Sequence, residues 1–291
     1  VLFITFDPQG NLWVAARWRV WGEAGIAMRP AEDVPLLAWS NGGFDTGRWT
    51  TWSNVHHPFP SPLINDIEFS ILEDGIIWLA TGIITNTPDV GGLVRFDLNA
   101  PDGSPGQWTI FNAANSPLNV NGVLSLDQDS AGNLWIVNVA NGPPGSALFR
   151  FNPASNQWTE YNIADELPWF MPWDDIGHVF VGTDDRVWLT HQTLGGLAEY
   201  DGATWTLHES GFNGFKGMLE DLQGIIWLTT NVGSSSTGLW KWNGAAFENW
   251  PTLGGDNHVT TLGIDQAGVV YAGCWNGGIF PMVNGDTPAP F

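Results

Sequence analysis

Four histidines, His56, His57, His191 and His258, are the side chains of this chain best suited to hold a transition metal. Such a site needs several ligands at short, recognisable spacings. Neither HxH nor HExxH occurs, and the single cysteine cannot supply a Cys/His set, so each histidine reads as a separate loop residue. Asp127-Gln-Asp129-Ser-Ala-Gly132 has some of the look of a Ca²⁺ loop. It lacks the bidentate glutamate at the required distance, and the same turn recurs elsewhere without the second Asp. A calcium ion is therefore weighed at that loop only, and the turn reading is preferred. Asp174 and Asp175 have the types of a general acid and base, but neighbours on a strand face opposite sides. Cys274 sits at a strand end beside glycine and reads as a buried, unreactive thiol. No Gly-x-Ser-x-Gly elbow supplies a serine nucleophile. These residues imply no catalytic machinery, no cofactor and no metal.

A second group has the chemistry of recognition. Trp18, Arg19, Trp21, Trp169, Trp173 and Trp275 are large flat or planar side chains. They lie in segments that also carry Asn54, Asn86, Asn141, Asn231, Asn276 and the histidines. Rings stack on the C–H faces of a sugar while amides and imidazoles satisfy its hydroxyls. The same types anchor protein interfaces. A protein and a polysaccharide both remain open as partners.

Composition narrows the classes. The chain has 291 residues, enough for one large all-β domain or two smaller ones. Charged residues are 13%, about half the usual share of roughly 25%, while there are 36 Gly and 19 Trp. Lys and Arg number 9 against 30 Asp and Glu, a formal net charge of −21. Such a surface repels phosphate backbones and anionic membranes, so neither nucleic acid nor direct membrane insertion is expected. No apolar run reaches the ~18–20 residues of a membrane-spanning helix, and no secretory leader is visible. Val1 already lies in a strand pattern, as in a processed chain or excised domain. One cysteine, Cys274, permits no intrachain disulfide and so does not report the compartment.

The elements that would position these residues come from a repeat. "DPQGNLW" ends at Trp13, "EDGIIW" at Trp78, "DSAGNLW" at Trp135, "DDRVW" at Trp188, "DLQGIIW" at Trp227 and "DQAGVVY" at Tyr271. The aromatic positions are 65, 57, 53, 39 and 44 residues apart, around the period of β-propeller blades. An apolar strand precedes each turn, at 2–6, 67–72, 123–126, 179–182, 217–220 and 259–264. A third strand follows in "GLVRFD", "ALFRFN", "GLAEYD" and "GLWKWN", and a fourth in "WTTW", "WTIF", "WTEY" and "WTL". Four short strands per unit with Gly, Asn and Asp turns describe one propeller blade written six times. The expected blades are 1–62, 63–119, 120–168, 169–211, 212–256 and 257–291, forming one domain. The repeated aromatics then pack each blade on the next, because a small sheet cannot bury both faces alone. The Asp-x-x-Gly turn needs positive φ at Gly or Asn.

At "DxxGxLWLAT … GGLxRFD … WTxYN" the chain resembles the two-component-regulator propeller repeat of bacterial sensors and surface proteins. The resemblance implies an extracytoplasmic propeller that binds something, and it brings no catalytic residues. A more remote resemblance is to streptogramin-lyase and lactonase propellers, whose His/Glu signature is not found here.

Propeller geometry gathers the connections from second to third strand, and from fourth to first, on one face. Binding residues collect on such loops. The first connection is expected to be an insertion over residues 17–34, and others fall at 83–90, 139–146, 191–195, 232–237 and 275–277. The last blade lacks a Trp-Thr strand; a short or missing outer strand is the preferred reading, over completion of that edge by residues elsewhere in the polypeptide or strand addition by another chain. The reading that follows is an extracytoplasmic, cell-surface or periplasmic module. It binds a protein or carbohydrate and is not an enzyme. The alternative is a propeller lyase or hydrolase with a site at the channel mouth.

Overall fold

Short apolar runs bounded by Gly, Asn and Asp form 23 strands in the computed structural model. It describes residues 3–17, 24–31, 49–53, 63–82, 91–101, 104, 107–138, 147–161, 176–191, 196–209, 214–230, 238–250, 259–264, 268–274 and 278–282. The first blade is β1 (Phe3–Phe6), β2 (Leu12–Arg17), β3 (Ala24–Arg29) and β4 (Thr50–Ser53). The second is β5 (Ile64–Phe69), β6 (Ile76–Gly82), β7 (Gly91–Asp97) and β8 (Trp108–Phe111). The third is β9 (Val123–Gln128), β10 (Leu134–Asn138), β11 (Ala147–Asn152) and β12 (Gln157–Tyr161). The fourth is β13 (Ile176–Val181), β14 (Val187–His191), β15 (Gly196–Tyr200) and β16 (Trp205–Glu209). The fifth is β17 (Phe215–Glu220), β18 (Ile226–Thr230), β19 (Leu239–Trp242) and β20 (Phe247–Trp250). The sixth has three, β21 (Val259–Ile264), β22 (Val270–Cys274) and β23 (Gly278–Met282). Each sheet is an antiparallel meander in chain order, and the fold is a six-bladed β-propeller. The sixth blade has no fourth strand among the described residues.

Two expectations are corrected. Residues 24–29, read as part of an inserted loop, are the first blade's third strand, with Ile26 and Arg29 buried and Ile26 opposite Ala15. The first strands of blades two and four begin at Ile64 and Ile176, three residues before the expected 67 and 179. Their register slips between Ile64 and Asp66 and between Ile176 and His178. The same slip occurs between Phe215 and Gly217 and between Val259 and Thr261. A bulge breaks the two-residue alternation by which a strand is read from sequence.

The Asp-x-x-Gly turn has a definite structure. Asp7 Oδ1 accepts the backbone N–H groups of Gln9 and Asn11, and its Oδ2 accepts Trp13 Nε1–H at 2.8 Å. Asp221 does the same for Gln223, Ile225 and, at 2.7 Å, Trp227 Nε1–H. Gly10 and Gly224 take φ of 82° and 76°, closed to most side chains. In blade three the partners differ. Asp129 accepts from Asn133 and from Arg150 at 2.9 Å. Trp135 Nε1–H is buried without an acceptor among the described residues, and the Arg150 guanidinium lies 5.7 Å from the indole centre.

The chain divides into two compact units, 1–126 and 127–291. In the first, Trp13, Ile26, Ile67, Ile77, Leu79, Val94 and Phe96 form one buried cluster. Trp13 stacks on Trp52 at 5.5 Å and meets Phe69 of the next blade edge-on at 5.6 Å. In the second unit Trp135 lies 5.9 Å from Tyr200 of the next blade. Trp188 joins Phe215 and Met218 in one cluster, and Trp227 joins Val259, Val270 and Phe280 in another. Offset or edge-on aromatic pairs of this kind add to the burial itself. Tyr271 is half-buried.

Candidate functional site

In blades two to five, the end from which the second strand passes to the third carries a recurring polar position, three residues after the repeated aromatic; Ala16 and Cys274 stand there in blades one and six. It is Thr81 in blade two, Asn138 in blade three, His191 in blade four and Thr230 in blade five. All four are buried. Alignment of the repeat on its aromatic would have exposed this position, but the eye is drawn to the Trp and the turn instead.

The hydroxyls among these residues are tied to nearby backbone. Thr81 Oγ1–H donates to Gly92 O at 2.9 Å, and Thr230 Oγ1 pairs with the backbone of Gly238. Thr229 Oγ1 accepts the Gly217 N–H at 3.0 Å, just past the bulge. In the first unit Asn65 occupies a bulge, and its Nδ2 donates to the carbonyls of Gly82 and Val123. Next to it, buried Asp66 accepts Ser125 Oγ–H at 3.0 Å and the Leu126 N–H. Asp127 Oδ2 likewise accepts the Val181 N–H at 2.7 Å. The bulge turns side chains toward neighbouring strands, and these polar groups fasten connection roots in blades two and five, whereas the Asp127–Val181 bond lies at the turn ends of β9 and β13.

His191 closes β14, buried and paired in register with Ile176. The other candidates, Trp18, Arg19, Trp21, His56, His57, Asn86, Trp169, Trp173, Trp275 and Asn276, lie outside the described residues. So do His258, Asp174 and Asp175. Cys274 ends β22. Among the described residues no group of three or more His, Cys, Asp or Glu is placed to hold a metal ion. The carboxylate of Asp129, weighed as a calcium ligand, already meets protein donors from Asn133 and Arg150.

One charged cluster was not flagged from sequence. Glu199 on β15 pairs with Arg186 and with His208 Nε2 at 2.7 Å. The His208 ring lies 4.6 Å from Trp242 and 6.0 Å from Trp188. The bond to Glu199 raises the Arg186 pKa above its ordinary value, helped by Asp184. Spacing could not have found this cluster, because Arg186 in the turn before β14, Glu199 on β15 and His208 on β16 meet only in the folded sheet. At the turn end, Asp185 accepts from the Ser130 hydroxyl and N–H, which hold its carboxyl below the ordinary range.

No family model and no curated protein sequence matches the chain. Among the described residues no helix is long and apolar enough to cross a membrane. The fold is similar to that of PorZ, a surface component of the type-IX secretion system of Porphyromonas gingivalis. The TM-score is 0.65 at 15% identity, over 97% of this chain and 40% of PorZ. It is similar to virginiamycin B lyase from Staphylococcus aureus, with TM-score 0.63 and 13% identity over 97% of this chain and 80% of the lyase. It is also similar to the extracellular domain of the Bacteroides thetaiotaomicron hybrid two-component protein BT3049. There the TM-score is 0.51 at 18% identity, over 97% of this chain and 38% of that one. The chain thus spans about two fifths of the PorZ and BT3049 chains. At these identities the likeness is one of fold, shared by surface, sensor and lyase proteins alike.

Proposed function

We propose that this chain is an extracytoplasmic, non-catalytic recognition module of the two-component-regulator propeller type. It engages a protein or carbohydrate through the face that carries the connections from second to third strand and from fourth to first. One observation carries the reading. At the blade end that sends out these Trp-, Asn- and His-rich segments, Thr81, Thr230, Asn65 and Asp66 bond to neighbouring backbone or side chains. That arrangement makes a rigid root for variable loops, the division of labour expected of a binding scaffold. The surface and sensor proteins among the similar folds support the location.

The lyase likeness favours a second reading, because it extends over 80% of the lyase chain against 40% of PorZ. A related structure holds quinupristin in an inactive form of virginiamycin B lyase. Two assays separate the readings. A panel of soluble polysaccharides and intact bacterial cells should bind the chain, and Trp18→Ala/Trp21→Ala or Trp169→Ala/Trp173→Ala should abolish that binding. Quinupristin followed by chromatography should remain unconsumed. Consumption of quinupristin that scales with protein, or binding unchanged in both double variants, would overturn the recognition reading.

A further inference from the structure

The turn end of the second blade departs from the repeat in length and in chemistry. Across the first hairpin, the residue paired with the repeated aromatic lies eight positions before it in four blades: Thr5 with Trp13, Phe180 with Trp188, Leu219 with Trp227 and Gly263 with Tyr271. In blade two it lies ten before, Glu68 with Trp78. The longer turn reads Ser70-Ile-Leu-Glu-Asp-Gly75. Its apolar pair points outward, with Ile71 56% and Leu72 58% exposed. Leu98, in the next turn of the blade, is 36% exposed, and Phe6, at the end of β1 beside β5, is 52% exposed. Five described large hydrophobic side chains are exposed in the molecule, and four of them lie here. The five-residue hairpins of the other blades close without such an insertion, so the scaffold does not require it.

The platform is held in shape. Ser70 Oγ accepts the N–H groups of Leu72 and Glu73. Leu98 N–H donates to Gly75 O at 2.9 Å, and Asn99 Nδ2 donates to Asp74 O at 2.8 Å, so the two turns are fastened together. Beside the apolar side chains in the two turns stand Glu73, Asp74 and Asp97, while the Asp7 carboxylate next to Phe6 is taken up by Gln9, Asn11 and Trp13. The cation of the blade's third strand, Arg95, is engaged by Glu73 and Asp97.

We infer that this end of blades one and two is a docking surface for a cationic amphipathic segment of another protein. Its apolar side chains cover Ile71, Leu72, Leu98 and Phe6, and its Lys or Arg residues meet the acidic rim. Charge decides among occupants. A second copy would bring another −21 against the same rim, and an anionic membrane would be repelled. An apolar centre with a charged rim is the usual anatomy of a specific interface. This surface lies at the opposite end of the blades from the connections invoked above, so it adds a second contact and does not depend on them.

The test uses the whole chain and three synthetic 18-residue labelled peptides, built of Leu and Lys, Ser and Lys, and Leu and Glu. Fluorescence anisotropy is read at physiological salt. The Leu/Lys peptide should bind the wild-type chain, and Ile71→Ser/Leu72→Ser should weaken it at least about tenfold. Leu222→Ser, which alters the exposed leucine of blade five, should leave it unchanged, and the Leu/Glu peptide should bind neither form. All variants are at exposed positions, and unchanged circular dichroism shows that they fold. Binding of the Ser/Lys peptide as tight as the Leu/Lys peptide, or equal binding by the Ile71→Ser/Leu72→Ser variant, would overturn the inference. A wild-type chain that binds none of the three would do the same.

Discussion

The repeated Trp offers a controlled experiment, because two copies in the same unit differ in one hydrogen bond. Trp227 Nε1–H donates to buried Asp221 at 2.7 Å. Trp135 Nε1–H is equally buried and has no acceptor among the described residues, since Arg150 and Asn133 have taken Asp129. Phe at either site removes similar volume, at about 1–2 kcal/mol of packing. At 227 it also removes a bond to a carboxylate, worth about 1.5–3 kcal/mol. At 135 it removes a buried donor whose desolvation opposes folding by about 1–3 kcal/mol. Part of that gain is offset by weakening the contact with Arg150, by about 0.5–1 kcal/mol. Trp227→Phe should therefore lose about 2–4 kcal/mol more than Trp135→Phe. At about 2–4 °C per kcal/mol the melting points should differ by about 4–16 °C. Calorimetry gives the gap, and urea unfolding with an unchanged slope shows that the unfolded state is not the cause. In a double-mutant cycle, Asp221→Ala and Trp227→Phe should couple by about 1 kcal/mol or more. A Trp135→Phe chain as unstable as Trp227→Phe, or a cycle without coupling, would refute the partner exchange at Asp129.

Two further predictions concern the turns and the acid response. Gly82 has φ of 111°, and a Cβ there would lie 2.3 Å from Asn121 O, whereas Gly244 has φ of 87° with nothing within 4 Å. Gly82→Ala should thus cost more than about 3 kcal/mol, and Gly244→Ala only the backbone strain of about 1–2 kcal/mol; equal melting points would contradict this. Asp185 is held below its ordinary value of 3.8 by Ser130, Asp201 by the Thr204 and Ala203 N–H groups, and Glu248 below 4.5 by Lys241. Carboxyls with depressed folded values stabilise the chain fully above their unfolded values and lose that contribution as pH falls through the folded ones. Acid also relieves the repulsion of the −21 charge, in the opposite direction, so the difference between wild type and Asp185→Asn isolates the effect. Their melting points should converge as pH falls from about 5 through 3.8 and on through the lower folded value, and a constant gap would contradict the assignment.

The repeat made the fold legible. A large aromatic at a fixed strand position, with Asp and Gly before it, encodes both a hairpin and a face to be buried, and six copies specify six blades. What escaped has physical causes. The strand Ala24–Arg29 reads "AGIAMR", without the Gly-Leu-x-Arg-Phe pattern of its counterparts, and flanking Trp and Arg residues disguised it as a loop. The bulges at Ile64, Ile176, Phe215 and Val259 interrupt the alternation on which strand limits depend. The polar position shared by Thr81, Asn138, His191 and Thr230 holds three residue types, so it does not stand out as a motif in the sequence. Of the candidate binding residues, only His191 falls within the described part, and it is buried.

Asp129 shows why position in a repeat does not fix a partner. Asp7, Asp129 and Asp221 occupy one place in the motif, and two of them hold the indole while the third holds a guanidinium. Arg150 stands opposite Trp135 in the register of β10 and β11 and bonds to Asp129, whereas Lys241, in the same place opposite Trp227, pairs with Glu248 and leaves Asp221 to the indole. The backbone of the turn is kept by the remaining bonds to Oδ1, so the blade tolerates the change. The same reasoning separates scaffold from function elsewhere in the chain. Where a substitution leaves the turn's own bonds intact, as in blade three, folding explains it. Where the turn grows by two residues and exposes Ile71 and Leu72, its hydrogen bonds do not call for apolar side chains, and a group of such side chains, unlike the single Leu222, has the character of a contact surface.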